Sequence, residues 1–236
     1  VRSFDHEDGG DGFASRLITT ISIILFALVA VGMYFAPALV RLYAPEFFTS
    51  GFEVEKEIAI AFTRYCLPQI FFLGLFTMLG QVANARGSFA PLMWAPIANN
   101  IVGIALFGAF LVFSPSVSID NISNVQVQIL GWGTTLSVVV QALVLVPVIK
   151  RLGIKLRPQW GVSGLGKSFG LAGWTLIYVL ISQLGYLVTV NVATSAAVRS
   201  AQEGIERGVG YTPYTYAYYV MLLPYSIVTI SIITAI

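Results

Sequence analysis

The sequence predicts an all-α fold, a polytopic transmembrane helix bundle, and three observations lead to this prediction. Hydrophobic residues make up 57% of the 236 residues and charged residues only 10%, against roughly 45–50% and 25% in soluble domains. Six apolar stretches are long enough to cross a bilayer core, which takes about 20 residues of helix. None of the six contains Asp or Glu, which are costly inside a membrane.

The predicted helices follow one another with short polar turns between them. They run over about residues 18–42, 58–82, 92–113, 129–149, 169–195 and 214–236. The turns contain helix-breaking residues such as Pro45, Gly87 and Pro115. This pattern divides the chain into a polar segment (1–17), four helices (18–150), a basic loop (151–168) and two helices (169–236). The start lacks a signal-peptide pattern and the end is apolar, so we expect a piece of a longer protein.

The distribution of Lys and Arg predicts that the N-terminus is cytoplasmic, because short cytoplasmic loops carry the excess of these residues. Eight cations fall on one side of the predicted membrane: Arg2, Arg16, Arg86, Lys150, Arg151, Lys155, Arg157 and Lys167. The loops of the other side hold only Lys56, Arg199 and Arg207, together with most of the acids. The basic loop 151–168 is therefore expected in the cytoplasm.

Composition also argues against several functions. A net charge of +2 with dispersed cations does not favour nucleic-acid binding. Cys66 is the single cysteine and no span contains His, so the residues offer no disulfide, metal centre or cofactor site. Catalysis needs a nucleophile with a base, or a pair of carboxylates, and the spans have neither. We expect a protein that is not an enzyme.

Arg64 is the one cation placed well inside a predicted span. Counting from Ile58, it lies about 9 Å below the outer end of its helix at 1.5 Å per residue. The side chain could meet an anion in a cavity, or it could reach back to the membrane surface. Both interpretations remain open from the sequence.

Uncharged polar residues and prolines recur inside the spans. The polar residues include Asn84, Asn100 and Gln183, which must pair with another helix or with water in a cavity. Pro68, Pro96 and Pro224 are predicted to break their helices, since proline removes a backbone donor. Such breaks are typical of transporters, although a simple packed kink is equally compatible with each proline.

An ordered series of motifs resembles the MurJ/MviN family. Arg64 stands four residues before Pro68, a GQxxNARGxF turn occupies 80–89, and an MWAPxxxN segment occupies 93–100. Weaker similarity continues through KRLGIKLRP, the Ser182-Gln183 pair and the LPYSIVTISIITAI end. Nearly the whole chain can therefore be aligned with the pattern of that family.

The resemblance implies the MOP/MATE-like fold, in which two lobes of helices surround a cavity that opens alternately to each face. The chain would supply the third to eighth helices, so that 18–150 complete the N-terminal lobe and 169–236 begin the C-terminal one. The implied activity is translocation of lipid II, an undecaprenyl-diphosphate-linked peptidoglycan precursor, across the bacterial inner membrane. The implied partners are this precursor, membrane lipids and cell-wall synthesis proteins. The candidate substrate-binding residues are Arg64, Asn84, Arg86, Asn100, Gln183 and Tyr219.

One departure from the family pattern means that either the cations are distributed differently in this protein or its substrate is not the usual one. Tyr218 and Tyr219 stand ahead of Pro224, where many members of the family have an Asp-Arg pair. A tyrosine hydroxyl can hydrogen-bond phosphate but brings no charge. One alternative function is another MOP-type exporter, for a polysaccharide lipid or a drug. The other is a membrane scaffold without transport activity, in which the polar residues of the spans serve only packing.

Overall fold

Helices make up most of the described chain. The computed structural model describes residues 11–118, 121–160, 166–204 and 208–235, leaving aside the side chains of 166–169, 171, 172 and 230–235. The α-helices in these ranges are α1 (Asp11–Tyr34), α2 (Ala36–Tyr43), α3 (Glu53–Cys66), α4 (Pro68–Ala85), α5 (Ala90–Phe113), α6 (Asn124–Leu143), α7 (Leu145–Arg151), α8 (Gly166–Gln202) and α9 (Tyr211–Ala235). A short 3-10 helix, Pro45–Phe48, follows α2. The described ranges contain no strand, and the all-α prediction is confirmed.

Each of the six predicted spans corresponds to a helix or to a pair of helices in line. α1–α2, α3–α4 and α6–α7 are pairs interrupted at one residue. Among the described residues, five stretches are long and apolar enough to cross a membrane: Asp11–Tyr34, Glu53–Ala85, Ala90–Phe113, Asn124–Arg151 and Gly173–Gln202. The sixth predicted span forms α9, and its crossing of the membrane stays a prediction.

A proline accounts for each interruption. Pro37, Pro68 and Pro147 lie one to three residues beyond the interrupted positions. Proline has no N–H to donate, and its ring collides with the carbonyl one turn earlier. The chain nevertheless keeps its helical direction through the break, because the N–H of Leu67 still bonds the carbonyl of Thr63 at 3.0 Å.

Pro96 and Pro224 behave differently from the sequence prediction. Both lie inside helices, α5 and α9, that continue through them. Each proline removes a single donor, and the hydrogen bonds on either side hold the helix together. Of the three prolines predicted to break a helix, only Pro68 coincides with an interruption.

The structure also moves two predicted boundaries. α1 begins at Asp11 rather than near Ile18, so the second half of the predicted polar segment is helical and its first ten residues lie outside the described ranges. A carboxylate in the first turn favours this start, since it faces the positive end of the helix dipole. α8 begins at Gly166 and ends at Gln202, beyond the predicted 169–195.

The chain divides into two compact units, Val1–Leu39 with Val54–Trp174 and Val40–Glu53 with Thr175–Ile236. The core of the first unit lies where α4, α5 and α7 meet. Leu145 at its centre is fully buried, as are Ala83 and Ala95. Small residues let membrane helices approach closely, so the alanines explain this tight crossing.

Large apolar side chains cover the outer faces of the helices. Phe26, Ile104 and Leu111 are 67%, 74% and 69% exposed. Exposed apolar surface on this scale is rare in water-soluble monomers and is what the hydrocarbon of a bilayer requires. The described helices are those of a multi-pass membrane protein.

Candidate functional site

A polar network surrounds the helix break at Pro68. The hydroxyl of Thr135 donates to the carbonyl of Tyr65 at 2.6 Å, which lies in the turn that Pro68 disrupts. Threonine hydroxyls commonly satisfy backbone groups at breaks in membrane helices. The α3–α4 break is therefore held against α6 by a specific hydrogen bond.

Thr134 extends this network. Its hydroxyl donates to the carbonyl of Gly131 at 2.8 Å and accepts from the Gln69 amide at 3.2 Å. The thiol of Cys66 lies 3.6 Å from the same oxygen. Gln69 and Cys66 thus serve helix packing, and the described residues include no group of three or more His, Cys, Asp or Glu that could hold a metal.

Arg64 lies on α3, one turn before the break, and is exposed. Pro68 cannot donate to its carbonyl, which is the group one turn earlier in the helix. Within the described part of the chain, the Arg64 guanidinium has no hydrogen bond or ion pair. An exposed cation without a counter-ion is available to an anionic ligand or to lipid headgroups.

Arg86 and Asn84 lie at the other end of α4, in the GQxxNARGxF turn. Gly87 has a positive φ of 77°, and the N–H of Ser88 bonds the carbonyl of Ala83 at 3.0 Å. This is the hydrogen bond of a Schellman C-cap, which needs glycine at this position. Arg86 donates to Asp11 Oδ1 at 2.7 Å. Arg86 is therefore engaged in an ion pair within the first unit.

Two buried side-chain atoms have no hydrogen-bond partner among the described residues: Oδ1 of Asn84 and Nε of Arg16. A buried polar group without a partner is costly and calls for a water molecule or ligand. Asn84 was predicted as a site residue, but Arg16 was not. Arg16 was not singled out because it falls in the polar segment 1–17, outside the helices predicted from the sequence.

The remaining candidates are exposed. Asn100 lies on α5 in the first unit, and Gln183 lies on α8 in the second. No hydrogen bond of either side chain occurs within the described residues. Both amides can donate and accept, so they suit an uncharged polar lining.

Tyr219 belongs to a series of tyrosines in the second unit. Neighbouring ring centroids lie 6.2–6.4 Å apart along the series Tyr43, Tyr186, Tyr211, Tyr214, Tyr218 and Tyr219. The hydroxyls of Tyr186 and Tyr211 are hydrogen-bonded to each other. The sequence argument singled out only the last two members, because the others lie on separate turns and helices.

Within the first unit, the two candidate arginines cannot belong to one site. Arg64 and Arg86 are 22 positions apart in nearly continuous helix, or about 33 Å at 1.5 Å per residue. One diphosphate cannot contact both. Asn84 and Arg86 share the turn at the end of α4, whereas Gln183 and Tyr219 belong to the other compact unit.

Comparisons with known proteins all identify the same family. The family profile described as "Lipid II flippase MurJ" matches residues 2–236. The chain is 26% identical over 154 residues to a "Probable lipid II flippase MurJ" of Buchnera aphidicola, which covers 65% of this chain and 28% of that protein.

Two further relatives have the same family name. The chain is 26% identical over 203 residues to the "Lipid II flippase MurJ" of Burkholderia cenocepacia, covering 82% of the chain and 37% of that protein. It is 23% identical over 189 residues to the "Probable lipid II flippase MurJ" of Haemophilus influenzae, covering 77% and 35%. The chain spans about a third of the length of these relatives.

Proposed function

The chain belongs to the MurJ family of lipid II flippases, and from this premise we propose that it forms part of a transporter that moves lipid II across the bacterial inner membrane. The observation that carries the proposal is the match of the family profile over residues 2–236. The proposed movement is alternating access, in which helices of two lobes expose a cavity first to the cytoplasm and then to the outside.

The helices supply features that fit this role. The interrupted helix α3–α4 and the unpaired cation of Arg64 lie together in the first unit. Discontinuous helices are common at transporter binding sites, and an arginine can bind a diphosphate through two parallel hydrogen bonds. We assign Arg64 to the diphosphate. We propose Asn84, Asn100, Gln183 and Tyr219 as uncharged hydrogen-bonding residues along the path of the cargo, not as ligands gathered around Arg64.

The tyrosine series supports one competing function. Tyr218 and Tyr219 replace a charged pair, so a less anionic cargo, such as that of another MOP-type exporter, is the second candidate. The deciding experiment reconstitutes the full-length protein in vesicles with fluorescent lipid II and measures the lipid that reaches the opposite leaflet. Protein-dependent transfer is expected. Transfer of a polysaccharide lipid in place of lipid II would favour the second candidate. Transfer of neither lipid would favour a membrane scaffold without transport activity.

The orientation gives a separate prediction. If the basic loop is cytoplasmic, a cysteine replacing exposed Ser116 should react with an impermeant maleimide in intact cells, and one replacing Trp160 should react only after permeabilisation. Both positions are exposed, so access depends on the side of the membrane. The measurement uses full-length protein with all native cysteines replaced. The opposite labelling pattern would reverse the proposed topology.

A further inference from the structure

Three stretches of the first unit meet at the side chain of Asp11. Arg86, in the turn after α4, donates to Oδ1 at 2.7 Å. The backbone N–H of Lys155, beyond the end of α7, donates to Oδ2 at 3.1 Å. Both oxygens of one carboxylate are therefore used, each by a segment far from Asp11 in sequence.

The contact with Lys155 is the first of three regularly spaced hydrogen bonds to α1. The N–H of Arg157 donates to Ser15 Oγ at 3.2 Å, and the N–H of Gln159 donates to Thr19 Oγ1 at 3.2 Å. We call residues 155–159 the strap. Its alternate N–H groups bond polar side chains spaced four residues apart on α1.

Simple geometry explains the regular spacing of these three hydrogen bonds. Four residues of α-helix rise about 6 Å, and two residues of extended chain advance about 6.6 Å. An extended segment laid along α1 therefore meets an acceptor at every second N–H. Side chains of the strap alternate in the same way, since Leu156 packs against the buried core while Lys155 and Arg157 are exposed.

Buried residues flank the strap, whose own Lys155, Arg157 and Pro158 are exposed. Ile154, the residue before the strap, is 6% exposed, and Ser15, which accepts from the N–H of Arg157, is 2% exposed. A backbone N–H that loses a buried acceptor cannot easily regain a partner from water. Undocking must therefore expose both the strap and the face of α1 beneath it.

We propose that Asp11 is a positioning residue of the transporter, which fixes both the strap and the GQxxNARGxF turn to the start of α1. Arg86 is then the partner of Asp11 and not a substrate ligand. The basic loop leads toward α8 from a fixed point on α1, because its first half is bonded there. The role in transport rests on the proposed function, whereas docking of the strap can be measured without any substrate.

The test uses trypsin, which cuts after lysine and requires an extended, undocked chain. In the full-length protein in detergent, cleavage between Lys155 and Leu156 is followed by mass spectrometry. Replacing Asp11 by Ala removes a charge-assisted acceptor, and the cleavage rate should rise roughly tenfold or more because the open population grows. Ser15→Ala keeps the Asp11 pair and should raise the rate by a smaller factor.

Controls separate the pair from a general loss of structure. Glu57 is an exposed acid on α3 with no hydrogen bond or ion pair among the described residues, and Glu57→Ala should leave cleavage unchanged. Exchanging the partners, Asp11→Arg with Arg86→Asp, restores the ion pair but leaves the N–H of Lys155 without an acceptor, so part of the lipid II transport lost in the single variants should return while the strap stays open to cleavage. A misfolded protein would show no such recovery.

Two results would overturn the proposal. Unchanged cleavage after Lys155 in Asp11→Ala would show that the carboxylate does not hold the strap. Loss of transport in Arg86→Ala, with the strap as protected as in the wild type, would return Arg86 to the substrate. A protein that moves no lipid II at all would contradict the proposed function alone, because the cleavage measurement needs no substrate.

Discussion

Replacing Arg64 by Gln should reduce lipid II transport by roughly tenfold to more than a hundredfold. A charge-assisted contact with a diphosphate contributes about 1.5–3 kcal/mol, and each 1.4 kcal/mol is about a factor of ten. Arg64 has no competing partner among the described residues, so its charge is available to the substrate. Arg64→Lys should retain part of the activity, because the charge survives while the two-pronged geometry is lost.

The measurement is the initial rate of transfer in vesicles at equal protein content. Arg41 provides a matched control: it is also exposed, and its guanidinium lies 5.9 Å from the ring centroid of Phe48. Arg41→Gln removes a cation outside the apolar part of the helix and should transport at nearly the wild-type rate. Wild-type transfer by Arg64→Gln would instead identify Arg64 as an anchor at the membrane surface.

Replacing Gly131 by Ala should destabilise the protein by about 1–3 kcal/mol, the usual cost of overpacking. A methyl group at this position would lie 2.6 Å from Cβ and 2.9 Å from Cδ2 of Tyr65. The Cβ of Tyr65 is fixed to the backbone and cannot turn away. α6 would have to move from α3, which would stretch the hydrogen bond from Thr135 to the carbonyl of Tyr65.

Alanine substitutions at two other glycines provide comparisons for the loss of stability expected at Gly131. At Gly133 the added methyl would meet only the tip of Leu106, 2.5 Å away, and a leucine tip can change rotamer. At Gly103 nothing lies within 4 Å, and alanine is favoured over glycine in a helix by roughly 0.5–1 kcal/mol. Thermal unfolding of full-length protein in detergent should therefore rank Gly103→Ala highest and Gly131→Ala lowest. Equal midpoints for Gly131→Ala and Gly133→Ala would refute the close approach at Tyr65.

The lengths of the hydrophobic runs predicted the helices well, whereas the positions of the prolines predicted the helix breaks poorly. Long apolar runs need no partner to be recognised, because the bilayer itself requires them. A proline, by contrast, removes one hydrogen bond wherever it stands. Whether the helix is interrupted, as at Leu67, or continues, as at Pro96, depends on neighbouring groups such as Thr135.

The candidate site residues also differ in how well the sequence could predict their roles. Arg64 could be singled out because a cation inside an apolar run is unusual at any position in the chain. The ion pair of Arg86 could not be anticipated, since its partner Asp11 is 75 positions away in the polar segment outside the predicted helices. Ser15 and Thr19 gave only a weak signal, namely polar residues four positions apart before an apolar run.

The membrane class, the helices and the family could be predicted from the amino-acid sequence, because all three depend on composition and on motifs along the chain. Which polar groups find a hydrogen-bond partner became visible only in the packed molecule. Arg86 pairs with Asp11, Thr135 caps the carbonyl of Tyr65, and the strap bonds α1. A hydrogen bond requires two groups within about 3 Å, and only packing brings residues that are distant in sequence so close together.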